Sequence, residues 1–154
     1  MRFALAAAFA LIAPLSLAAQ TAPTSPDLAT ATPISGSWSY AATSGGSEAI
    51  FVNAGGFPQL WVQCTRATRR VSIAKPATAA APSLAVWTSS LTRSVPASFN
   101  PATGRLTIEL AASDPLLDAL SNSRGRLGFT VGSEPLLIVP AWAEPARVVE
   151  DCRA

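Results

Sequence analysis

The sequence predicts a mainly β domain, an antiparallel β-sandwich or partly open barrel with one short helix and a C-terminal helix. Three observations point there. Apolar and polar residues alternate with period two in several short runs, most clearly Gln59 to Thr65 and Arg105 to Leu110. Clusters of glycine, proline, asparagine and serine separate those runs as turns. Helical spacing shows only twice, both times late in the chain, which disfavours parallel βαβ packing.

The chain opens with Arg2, an apolar run from Phe3 to Leu17 and the small residues Ala18 and Ala19. This is the order of a secretory signal peptide, and the run is shorter than the roughly 20 residues a spanning helix needs. Residues 1–19 are therefore expected to be removed, leaving no integral membrane segment and a periplasmic or secreted product. Residues 20–33 are almost wholly Thr, Ala, Pro and Ser with one acid, Asp27. They have little apolar surface to offset their ordering entropy, and a disordered leader is expected. Residues 34–154 then form a single β-rich domain.

Strand, turn and strand follow in order. Gly36 to Ala42 reads as a strand around Trp38 and Tyr40, the turn holds Gly45 and Gly46, and Ala49 to Val52 returns. After Asn53, Gly55 and Gly56, the run Gln59 to Thr65 places Leu60, Val62 and Cys64 on one face and Trp61 on the other. Val71 and Ile73 make a weaker strand behind a turn carrying Arg66, Arg69 and Arg70. Pro76 to Pro82 is a loop. Leu84 to Thr88, Leu91 to Phe99 and Arg105 to Leu110 are strands. Then the period changes: Asp114 is a good N-cap, Pro115 suits the first turn, and Leu116, Leu117 and Leu120 form an apolar stripe that Gly125 can end. Leu127 to Val131 and Leu136 to Val139 make a hairpin. Pro145 opens a last helix with Val148, Val149 and Cys152 on one side, and with Arg147 and Asp151 spaced to pair.

The two cysteines, Cys64 and Cys152, stand 88 residues apart. In an exported chain such a pair is most simply one disulfide, here joining an inward strand position to an inward helix position. The chain-entropy estimate for a loop of this size is about 4–5 kcal/mol. A catalytic thiol would need a base to make thiolate, and the chain has no histidine.

The same absence removes the Ser-His-Asp triad and the usual zinc ligands, so no metal, cofactor or catalytic residue is assigned. The 11 basic and 9 acidic residues nearly balance. Arg2 leaves with the signal peptide, the net charge becomes +1, and no nucleic-acid partner is called for. What remains is a binding reading. Trp61 is opposite the apolar face of its strand and Trp87 is out of phase with Leu84 and Val86. An exposed indole near Arg66, Arg69 and Arg70 would stack on a sugar or hold an anion. The competing reading is a covered face with the arginines as a solubilising hairpin tip. The chemical alternative is a small hydrolase or lyase using two of the carboxylates, among them Glu109, Asp114, Asp118, Glu134, Glu144, Glu150 and Asp151.

The C-terminal third carries a resemblance. The run Asp114-Pro115-Leu116-Leu117-Asp118-Ala119-Leu120, then Ser123-Arg124-Gly125-Arg126, Pro135-Leu136, Pro140-Ala141-Trp142 and Val148-Val149-Glu150-Asp151-Cys152-Arg153, resembles a family of small exported bacterial proteins of unknown function. The wider plan, a Trp-led strand and a late helix-strand-strand-helix ending, is distantly similar to the invasion-associated locus B family of periplasmic proteins. That resemblance implies a β-rich envelope protein acting through binding, with no established active site to carry over; the leading expectation is a non-enzymatic binder whose partner is an envelope protein or glycan. The chain departs from that family in having a single cysteine pair.

Overall fold

The computed structural model describes residues 27–154. Four strands at the start of the domain form a meander because short turns join each to the next: β1 (Gly36–Thr43), β2 (Gly46–Asn53), β3 (Pro58–Thr65) and β4 (Arg70–Pro76). The chain then leaves for a second layer through β5 (Ser83–Trp87) and β6 (Thr92–Pro96), returns as β7 (Ser98–Asn100) and β8 (Arg105–Ala111), and leaves again after α1 (Pro115–Ser121) as β9 (Arg126–Val131) and β10 (Leu137–Pro140). The result is a six-stranded sheet in the order β1-β2-β3-β4-β8-β7 and a four-stranded sheet in the order β10-β9-β5-β6. All pairings are antiparallel and neither sheet closes, so the sandwich is the form adopted.

The inward rows follow the alternation read from the sequence. Phe51 pairs with Leu60, Ala49 with Val62, Val62 with Ile73, and Ile73 with Ile108. Leu84, Val86, Leu127, Phe129 and Val139 supply the facing layer, all at most 1% exposed. One contiguous core results. Burying each such side chain contributes about 1.5–3 kcal/mol relative to leaving it in water.

The run Leu91 to Phe99, expected as one strand, divides between the two sheets. Pro96 ends the first part because it has no N–H for the ladder, and the Ala97 N–H turns to the Pro82 carbonyl at 3.1 Å.

Helix α2 (Ala143–Arg153) closes the open end of the larger sheet, lying across β2 and β3 with Val148, Val149 and Cys152 buried. Cys152 is bonded to Cys64 of β3, with their Cα atoms 5.5 Å apart. The pairing expected from two inward faces is the one formed, and it fits an oxidising compartment.

The helix bounds differ from expectation. Helix α1 does start with Asp114, which accepts from the Leu116 N–H at 2.8 Å, but it ends at Ser121 and Gly125 lies in the connector beyond. There Gly125 adopts φ +83°, a conformation that a side chain would strain. Helix α2 begins two residues ahead of Pro145. Arg147 and Asp151 meet through Tyr40 rather than through each other: the Arg147 guanidinium lies over the Tyr40 ring at 4.0 Å, and the Tyr40 hydroxyl donates to Asp151 at 2.6 Å.

Among the described residues no helix is long and apolar enough to cross a membrane. The expected signal peptide, residues 1–19, lies outside them. Of the expected leader, the residues from Asp27 on are described. Asp27 to Thr30 forms a turn closed by the Asp27 carboxylate, the Ala29 carbonyl accepts from Arg126 at 2.8 Å, and the Ile34 N–H donates to Ile138 at 2.9 Å.

Candidate binding site on the outer face of the small sheet

The five residues singled out for binding lie in three places. Trp61 is on the outer face of the larger sheet, as its alternation requires, yet only 8% exposed. The Arg105 guanidinium covers its ring at 3.6 Å, reaching across from β8, and Ile50 is its neighbour on β2. Arg66 begins the 3-10 turn at the β3–β4 tip, five residues from Trp61, which is about 16 Å along an extended strand. Arg69 and Arg70 line a groove with Arg153 at that tip, where Arg69 donates to the Arg153 carbonyl. Trp87 belongs to the other sheet.

Trp87 ends β5, with Gly128 of β9 directly opposite it on the outer face. A Cβ on Gly128 would stand 3.1 Å from the Trp87 Cβ and 3.2 Å from side-chain carbons of Leu136 and Leu28. Glycine thus leaves the slot in which the leader residue Leu28, the β9–β10 loop residue Leu136 and the indole meet. Beside the indole opens a pocket of about 330 Å3, walled by Asp27 to Ala29, Thr88, Ser89, Thr92, Arg124 and Arg126.

The polar groups of this pocket are unevenly matched. Trp87 Nε1 and Arg126 Nε are both buried and have no hydrogen-bond partner among the described residues. Arg124 and Arg126 take part in no ion pair there either. The one acid of the pocket, Asp27, already accepts from the Ala29 N–H at 2.9 Å and the Thr30 hydroxyl at 3.0 Å. Buried donors without acceptors cost about 1–3 kcal/mol each, so an acceptor from outside is favoured here.

Elsewhere several charges are matched inside the protein. A larger pocket, about 520 Å3, opens where the β3–β4 ladder stops at Trp61 and Ala74, beyond which Pro76 has no N–H to continue it. Its charged group, Lys75, has a side chain only 10% exposed and is bonded to Glu134 at 2.7 Å, so it carries no uncompensated charge. Asp114 pairs with Arg93 and Asp118 with Arg153, each at 2.7 Å, and Glu109 lies 3.9 Å from Arg70. Burial opposes the charge on Asp114, but the Arg93 hydrogen bond, the Leu116 N–H and the Arg93 charge together hold its carboxyl below the usual aspartate range. Asp151 is also held low, first by the Tyr40 hydroxyl against partial burial, then by the charges of Arg147 and Arg66. Glu144 differs, with Oε2 buried and unpartnered at the start of α2. No group of three or more metal-ligating side chains occurs among the described residues.

Comparison with protein-family models, curated proteins and solved structures finds no match to this chain. The site is therefore read from its own geometry.

Trp87 lies beside Arg124 and Arg126, whereas Arg66, Arg69 and Arg70 stand at the β3–β4 tip of the other sheet. Arg124 and Arg126 had a sufficient local explanation as cations following a helix. With α1 ending at Ser121, Arg126 instead begins β9, on the same face as Gly128. The available signal was the outward row Arg126, Gly128, Thr130, in which a glycine interrupts an otherwise bulky strand.

Proposed function

We propose that the protein is exported through its N-terminal signal peptide and acts in the periplasm or outside the cell by binding an envelope component, without catalysis, at the Trp87 pocket. The observation that carries this reading is the pair of buried, unpartnered donors, Trp87 Nε1 and Arg126 Nε, on residues lining one pocket of an outward sheet face. An indole N–H without an acceptor, beside two arginines that have no ion pair among the described residues, is equipped to recognise and not to transfer a proton. The pairing of Asp114, Asp118 and Glu134 with basic partners supports binding over carboxylate catalysis, because a general acid or base needs a carboxyl free to exchange its proton. The resemblance to the invasion-associated locus B family agrees with an envelope role.

The test uses the processed protein immobilised on a sensor surface and soluble glycan prepared from bacterial envelopes. Retention that Trp87→Ala weakens by about tenfold or more, and that Trp61→Ala leaves in place, is the expected result. No retention, or equal retention by both variants, overturns the reading.

A further inference from the structure

Resting on that reading of the Trp87 pocket, we infer that its ligand is a carboxylated sugar, with the carboxylate taken by Arg126 and Arg124 and the pyranose laid against the Trp87 indole. The balance of donors selects the charge of the ligand. Two arginines and a single aspartate line the pocket, each oxygen of that aspartate already accepts a hydrogen bond within its own turn, and the two orphan groups are both donors. An anionic acceptor satisfies them with charge-assisted hydrogen bonds, roughly twice as strong as those a neutral hydroxyl accepts. Guanidinium forks match planar carboxylates bidentately.

The rest of the wall selects the body of the ligand. Beside the indole the pocket carries the hydroxyl residues Ser89 and Thr92, so it offers one flat apolar surface and a polar rim, while the Thr88 hydroxyl is taken up by the Leu91 carbonyl. A pyranose has the same division, with C–H bonds on one face and hydroxyls around the edge. The volume of about 330 Å3 lies at the small end of ligand pockets, suited to one sugar residue of a chain that continues into solvent. The leader forms the remaining wall, because Arg126 holds the Ala29 carbonyl with one nitrogen, Nη1, and leaves Nε on the other edge of the fork unpartnered.

The experiment follows the indole N–H signals of the four tryptophans in the 15N-labelled processed protein. Trp87→Phe assigns the Trp87 signal, and the protein is titrated separately with trigalacturonate, with neutral galactotriose and with acetate. The inference requires that trigalacturonate move the Trp87 indole proton downfield, as a new acceptor does, while galactotriose does not. Arg126→Gln should weaken trigalacturonate by about tenfold, the worth of one charge-assisted hydrogen bond, and Arg66→Gln should change nothing. Equal binding of galactotriose overturns the carboxylate assignment and leaves the pocket as a binding site. An acetate effect as large as that of trigalacturonate overturns the sugar. If neither trisaccharide moves Trp87 while envelope glycan is still retained through it, the ligand class is wrong and the binding reading stands.

Discussion

Trp61 and Trp87 hold equivalent places in two sheets and end in opposite conditions. Each is an outward residue of a strand whose alternate residues face the core. Trp61 has Arg105 stacked on it and is closed to solvent. Trp87 has Gly128 opposite, a leucine from the leader beside it, and an N–H with no acceptor among the described residues. Whether an outward tryptophan is sealed or keeps an open flank thus follows from the residues next to it on the sheet. An arginine with a long stem seals the ring of Trp61, and a glycine lets Leu28 and Leu136 pack beside Trp87, which still borders a pocket.

The strongest way to separate the two regions is to remove the disulfide, which clamps α2 to the sheet of Trp61 and makes no link to the sheet of Trp87. Cys64→Ala with Cys152→Ala should cost about 2–5 kcal/mol in urea unfolding. Amide exchange should rise first in β3, β4 and α2. An equal rise in β5 and β9 would show that the two layers open as one unit and that the contrast is only local.

Filling the Gly128 space attacks the other side of the comparison. Gly128→Val should destabilise by about 1–3 kcal/mol through overpacking against Trp87, Leu136 and Leu28, and should change Trp87 fluorescence while Trp61 remains capped. An unchanged Trp87 emission would mean that the slot is wider than its contacts indicate. Arg105→Ala tests the cap directly. The expected cost is about 0.5–1 kcal/mol, and Trp61 should become more accessible to acrylamide quenching than it is in the parent protein. If Trp61 stays protected, its neighbours on the sheet close it without the arginine.

The smallest effect concerns acid. Asp114 and Asp151 have carboxyls depressed by folding, so the unfolded chain binds protons more readily than the native one. Their contribution is present above the unfolded aspartate value of about 3.9 and is lost as pH falls through the lower native values. Asp151→Asn should therefore flatten the loss of stability below about pH 4, measured by urea midpoints across the acid range. An unchanged slope would remove Asp151 from the acid response.

Much of this arrangement was legible in local patterns. Leu60, Val62 and Cys64 announced an inward face, and Asp114-Pro115 announced a helix start, because pleat and cap geometry depend on near neighbours alone. Boundaries governed by long-range packing were less legible. Leu91 to Phe99 reads as one strand until Pro96 is seen to carry it from one sheet to the other. The candidate site was legible at Trp87 only. Arg126 and Gly128 lie about 40 residues further on in the chain and come beside it through the β5–β9 pairing.

The amino-acid sequence by itself determined the β character of the domain, the inward faces, the first helix cap and the partnership of Cys64 with Cys152, because alternation, capping and the cysteine count are written in short stretches or in composition. The tertiary structure alone decided that the sheets stay open as a sandwich, that Arg105 closes Trp61 and that Trp87 keeps company with Arg126. Those outcomes depend on which strands become neighbours, and pairing between distant segments is set by the joint packing of the whole core.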